Sequence, residues 1–171
     1  CNGIMKIPFG KRLPLFPLPS GTGNSLLRDF DILTIDDSIK HYINEKPKMF
    51  DVIHVQEING DFSCYSVNLL GFGFISEIAS YVNKMGKWLG AFSYALGTVL
   101  ALGQFNPHNT TIKYNNGKNT FHSDRVYFMT ISNTKYTGGN IMIAPDARYD
   151  DGLLDVIILY ELNRFQFLNG F

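Results

Sequence analysis

Apolar residues crowd the segment RLPLFPL (12–18), and prolines break the run. That mixture suits a short strand entering a turn. SGTGN (20–24) is the turn, and a helix opens after it at SLLRDF with Asn24 or Ser25 as N-cap. DDSIKHYINEK (36–46) reads as a second short helix. Asp36 and Asp37 fall in its first turn, where the helix dipole favours acids, and Ile39, Tyr42 and Ile43 share one face. Lys46-Pro47 ends it, because the residue before proline avoids helical backbone. The period then changes. FDVIHVQEING (50–60) alternates as a strand does, and Asn59-Gly60 signals a hairpin into DFSCYSVNLLGFGF. Residues 77–105 read as helical with interruptions, and TTIKYNNGKNTFHS (110–123) as strand, Asn-Gly turn, strand. RVYFMTISNT (125–134) and LLDVIILYEL (153–162) are rich in β-forming residues. The pattern therefore predicts an α+β chain. An α/β beginning gives way near residues 46–50 to a mainly antiparallel sheet domain with one inserted helix. No repeat or low-complexity tract interrupts it.

Composition narrows the classes. A chain of 171 residues holds one domain or two small ones, and 45% hydrophobic with 14% aromatic content supports a packed core. Fifteen basic residues balance fifteen acidic ones. A neutral chain without a basic run offers no long-range attraction to nucleic acid. Two cysteines, Cys1 and Cys64, make neither a disulfide framework nor a zinc spacing and fit a reducing, cytoplasmic compartment. The sequon at Asn109 is read as chance, since no signal peptide precedes it. The chain opens on CNGIMK and stops at FLNGF inside an apolar pattern. The expectation is an internal piece of a longer protein, with part of any active site elsewhere.

Four stretches carry candidate chemistry. In SGTGN, glycines let main-chain N–H groups converge on an anion, and the helix start adds free N–H groups. Thr22 and Asn24 can donate further hydrogen bonds. A phosphate cradle and an ordinary tight turn with an N-cap both fit. The motif matches neither GxxxxGK[ST] nor GxGxxG. In NLLGFGFISEI (68–78), Gly71 and Gly73 flank a phenylalanine and suggest close backbone approach, while Glu77 is an acid in an apolar setting or a solvated residue at a helix start. From Trp88 to Phe105 there are 18 residues without a charge. That is near the lower limit of roughly 17–25 residues for a membrane span. Four glycines in 85–105, with Ser93, Thr98 and Gln104, favour instead a helix lining an apolar pocket or touching a membrane surface. Lys87, just before it, is a solvated lysine or a phosphate contact. In GGNIMIAPDARYDDGLLDVIIL (138–159), Asp146, Asp150, Asp151 and Asp155 supply oxygens of the kind Mg²⁺ takes, without EF-hand spacing. Asp150-Asp151-Gly152 is equally a β-turn with glycine at positive φ. The four histidines share no spacing.

Three segments taken in order, LPLFPLPSGTGNSLLRDF, then FDVIHV…YSVNLLGFGFISEI, then IMIAPDARYDDGLLDVIIL, resemble the diacylglycerol kinase catalytic-domain superfamily, which includes sphingosine, ceramide and bacterial lipid kinases. The resemblance runs over nearly the whole chain, and the P-x-GTGN loop and AP-x-A-x-x-DDG-x-x-D signature carry it. It implies residues 1–46 as the C-terminal part of a nucleotide-binding α/β domain and 47–171 as a truncated lipid-binding β-sandwich domain. It implies that Gly21, Thr22, Gly23 and Asn24 hold ATP phosphates. Many diacylglycerol kinases carry an Asp after the Asn; Ser25 stands here, as a non-acidic residue does in sphingosine and ceramide kinases. Asp51 matches an aspartate at the domain junction that reaches Mg²⁺ through water. Glu77 matches an acid facing the lipid head group, but sphingosine kinases carry a further Asp two residues on, and Ala79 stands here. GKWLG resembles a [KR]-[RW]-L-G segment of ceramide and sphingosine kinases, so Lys87 inherits a phosphate contact. The DDG motif is mainly a turn in the family. An upstream GGDGT loop and a downstream acidic Asp-Gly-Glu segment, which supplies the catalytic carboxylate, are expected outside these residues.

The resemblance thus implies an enzyme: a Mg²⁺- and ATP-dependent kinase phosphorylating a hydroxyl of diacylglycerol, a sphingoid base or ceramide. The 171 residues alone are expected to be inactive. Peripheral membrane contact follows, because the substrate lives in the bilayer. The alternatives are a soluble-substrate kinase of the NAD type, against which the apolar 88–105 stretch argues, and a non-catalytic lipid-binding pseudokinase.

Overall fold

The computed structural model describes residues 1–21, 23–74, 106–138, 140–162 and 166. The chain divides into two compact units, Cys1–Leu70 with Ile131–Val156, and Gly71–Thr130 with Ile157–Phe171. The expected boundary at 46/47 lies inside the first unit. The inserted helix at 77–105 lies outside the described residues.

The helices of the first unit are short. They are α1 (Asn2–Met5), α2 (Ser25–Arg28) and α3 (Ile35–Asn44), with a single 3₁₀ turn at Phe9–Lys11. Residues 12–19 form neither helix nor strand, contrary to the strand expected at 12–18. Pro14, Pro17 and Pro19 lack the amide donors a ladder needs. Leu13, Leu15 and Leu18 are exposed. Around α3 the sequence reading holds. Thr34 caps the helix by accepting from Asp37 N–H (3.1 Å), and the Asp37 carboxylate accepts from Thr34 N–H (2.9 Å). Asp36 and Asp37 fill the first turn, and the chain turns extended at Glu45, just before Lys46-Pro47. The shared apolar face of Ile39, Tyr42 and Ile43 is exposed, with Phe16 4.9 Å from Tyr42 ring to ring.

Strands β1 (Ile53–Gln56) and β2 (Ser63–Ser66) form the expected antiparallel hairpin, from Ile53 opposite Ser66 to Gln56 opposite Ser63. Glu57 N–H donates to the Phe62 carbonyl at 3.0 Å and closes the turn around Asn59-Gly60. Next come β3 (Leu69–Gly73), β4 (His108–Tyr114) and β5 (Asn119–Ser132), then the two-residue strands β6 (Tyr136–Thr137) and β7 (Ile141–Met142), and finally β8 (Asp155–Tyr160). The sheet order is β3–β5–β4, with β8 also paired to β5; β6 and β7 form a small antiparallel pair. The β4–β5 turn runs through Asn115, Asn116 and Gly117 at φ 51°, 55° and 81°. Asparagine and glycine are the residues that tolerate this left-handed backbone, so NNG forces the hairpin locally.

Leu27, Ile32, Ile53, Ala144 and Ala147 are buried in the first unit, and Phe74, Val126 and Tyr127 in the second. Gly73 has φ +73°, and a Cβ there would lie 2.6 Å from the Tyr127 carbonyl oxygen. This is the close backbone approach anticipated from the GFG triplet. The architecture is the mainly antiparallel one expected, sheets with few helices among the described residues.

Candidate active site

The GTGN loop leads directly into α2. Asn24 is the N-cap residue, but its side chain makes no capping bond. Its amide instead donates back to the Gly21 carbonyl at 2.6 Å, closing the loop on itself. Gly21 and Gly23 are exposed. Neither adopts positive φ, so freedom to turn left-handed is not what glycine supplies here. What it supplies is open space: among the described residues that are not chain neighbours, nothing lies within 4 Å of a Cβ built on Gly23, and only the Asn24 side-chain oxygen, at 3.6 Å, near one on Gly21. Open space of this kind beside Gly23 fits the approach of a phosphate to main-chain N–H groups. Thr22 lies outside the described residues.

Asp51 is held through three of its groups. Its N–H donates to the Tyr149 carbonyl (2.7 Å), its carbonyl accepts from Asn133 Nδ2 (2.8 Å), and its Oδ2 accepts from Gly152 N–H (2.7 Å). Gly152 has φ +72°, so the DDG triplet is the turn that its glycine implied, and Asp51 fastens that turn. The other carboxylate oxygen, Oδ1, has no hydrogen-bond partner among the described residues. One free carboxylate oxygen fits a contact to Mg²⁺ through water but makes no cage by itself. Phe50 stacks on Tyr149 at 5.1 Å and Phe30 packs against Tyr149 at 4.8 Å, a ring cluster next to Asp51 within the first unit.

Burial pushes the Asp155 carboxyl up, and the charges of Asp151 and Asp146 add to the effect. No group of three or more His, Cys, Asp or Glu among the described residues is arranged to hold a metal ion. Gly21, Gly23 and Asn24 make no hydrogen bond to Asp51 or the DDG turn. Glu77 and Lys87 lie outside the described residues.

Two residues with no motif around them matter more than sequence reasoning suggested. Asn133 is 1% exposed, and its amide donates both to the Asp51 carbonyl and to the Val67 carbonyl (3.2 Å). Asp29 accepts from Lys135 N–H at 2.9 Å, while its Oδ2 is buried without a partner. The only sequence signals were a polar residue at a strand end and an acid after a helical turn.

In the second unit, Phe72, Val126, Phe128 and Met129 line an apolar groove of about 270 Å³, with His108 and Thr110 at its polar edge. Among the described residues, no helix is long and apolar enough to cross a membrane.

Residues 68–171 match the model of the YegS C-terminal NAD kinase beta sandwich-like domain. The chain belongs to the diacylglycerol kinase-like, YegS-type family of lipid kinases. Among curated relatives of this lipid kinase family, it is 29% identical to a diacylglycerol kinase of Bacillus subtilis, over 98% of this chain and 52% of the relative. It is 30% identical to a protein described as "probable lipid kinase YegS-like" from Shewanella frigidimarina, over 96% of this chain and 51% of the relative. The chain therefore spans about half the length of these relatives. A solved structure described as a putative diacylglycerol kinase from Bacillus anthracis matches with a TM-score of 0.69 at 22% identity, covering 98% of this chain and 54% of that one. That likeness shows the fold.

Proposed function

We propose that this lipid kinase family member acts, in its native gene product, by transferring the γ-phosphate of ATP to a hydroxyl of a membrane lipid: diacylglycerol, a sphingoid base or ceramide. The observation that carries the reading is the pair Gly21 and Gly23, exposed in front of α2 with open space beside Gly23 among the described residues, in a chain of this family. The main-chain N–H groups of Gly21, Thr22 and Gly23 would bind phosphate oxygens, and Asn24 would keep the loop closed around them. Bound Mg²⁺ would supply neutralisation of phosphate charge, reached from Asp51 Oδ1 through water. Lys87 is proposed as a phosphate contact and Glu77 as a contact to the lipid head group. A carboxylate outside residues 1–171 would take the hydroxyl proton. The groove along Phe72, Val126, Phe128 and Met129 is of the apolar kind that an acyl chain fills. Peripheral contact with a cytoplasmic membrane surface follows from the substrate.

The NAD kinase likeness in the domain description favours a second reading, a soluble nucleotide acceptor. Labelled-phosphate transfer from ATP by the native gene product separates them, with diacylglycerol, sphingosine, ceramide and NAD as acceptors. Label on one lipid and none on NAD is the expected result. Label on NAD alone would overturn the lipid reading, and label on no acceptor would favour a lipid-binding pseudokinase.

A further inference from the structure

The helix that carries the GTGN loop has only four residues, Ser25–Arg28. One turn of helix is not stable by itself, because nucleation fixes several dihedrals for one hydrogen bond. Its place is therefore set by tertiary contacts. On the inner side these are Ser25 and Leu27, 6% and 4% exposed. At the far end is Asp29, the C-cap residue, five positions after Asn24. Its Oδ1 accepts from Lys135 N–H at 2.9 Å. The Lys135 peptide is itself fixed, because its carbonyl accepts from Ile143 N–H (2.9 Å) and Ala144 N–H (3.2 Å). The anchor thus joins α2 to backbone held by the β6–β7 segment and by buried Ala144. The other carboxylate oxygen, Oδ2, is buried with no partner. Its burial is a cost that an alanine or an exposed serine would not carry.

We propose that Asp29 is a positioning residue for the GTGN loop: by holding the Lys135 N–H it sets where α2 begins, and with it the main-chain N–H groups of the loop. This rests on the reading of that loop as the ATP phosphate site. The role assigned to the side chain is that of a hydrogen-bond acceptor. Burial pushes its carboxyl up from the ordinary value, against the opposing pull of the Lys135 N–H, the Lys135 ammonium and the nearby N–H groups of Tyr136 and of Asp29 itself. An amide in its place keeps the acceptor and loses only the charge.

The test uses the native gene product in three forms: wild type, Asp29→Ala and Asp29→Asn. Steady-state kinetics with Mg·ATP varied at saturating lipid give KM and kcat, and amide hydrogen exchange is followed over residues 20–28. Asp29→Ala is expected to raise KM for ATP about tenfold with kcat within twofold, the size expected of one lost hydrogen bond at an anchor, and to speed exchange in 20–28. Asp29→Asn is expected to restore both. A KM and exchange rate unchanged in Asp29→Ala would overturn the proposal while the kinase reading stands. A fall in kcat and KM effects equal in both variants would overturn it too, since the charge would then matter. A wild type with no use of ATP would overturn the kinase reading and this inference together.

Discussion

Gly73 sits where only glycine fits, since both its φ and the Tyr127 carbonyl 2.6 Å from a would-be Cβ exclude a side chain. Gly73→Ala should destabilise the fold by about 2–4 kcal/mol, read as a lower urea midpoint. The GFG triplet advertised this, because glycine inside a strand rarely has another reason. Asn133 advertised nothing. Its partners Asp51 and Val67 are 82 and 66 positions away, so its role exists only once three segments meet. Asn133→Ala should cost about 1–2 kcal/mol, because it removes the donor to two part-buried carbonyls. Asp29 gives a pH signature. Its folded carboxyl lies above 3.8, so the neutral form suits the folded state. Its contribution to stability is complete below that value and is lost as pH rises through the raised one. Asp29→Asn, which stays neutral, should therefore melt higher than wild type at pH 7 and at the same temperature at pH 3. Calorimetry at the two pH values checks this, and equal shifts at both would contradict it.

Elements whose cause is local were legible; those whose cause is a distant neighbour were not. NNG at 115–117 and Asn59-Gly60 turn the chain by their own backbone preferences, and both hairpins formed where expected. The segment 12–18 has the apolar content of a strand, but prolines remove the donors a partner would need. The helix at 36–46 was legible, but its cap was not named from sequence: Thr34 with Asp37 is a capping box. Thr34→Ala should cost about 1 kcal/mol, seen as a lower unfolding temperature. The same bonds hold the Asp37 carboxyl below its ordinary value. That contribution is present above pH 3.8 and fades as pH falls through the lowered value, so the penalty of Thr34→Ala should shrink in acid.

At the scale of the molecule, two signatures far apart in sequence, GTGN and DDG, marked the family, and its β-sandwich model covers residues 68–171. Sequence paired each motif with a role but not with a partner. The structure ties DDG to Asp51 through the Gly152 N–H and ties α2 to Lys135 through Asp29. Charge balance and composition could not reveal such ties, because each rests on one hydrogen bond between segments over a hundred residues apart. The central claim is that the loop at residues 21–24 holds the phosphates of ATP. The most direct measurement is the KM for Mg·ATP of the native gene product, offered diacylglycerol, sphingosine or ceramide in mixed micelles, for wild type and Asn24→Ala. Losing the amide that bonds the Gly21 carbonyl should open the loop and raise KM at least tenfold, a loss on the order of 1.4 kcal/mol of binding. An unchanged KM in a folded Asn24→Ala variant would mean that the phosphates bind elsewhere.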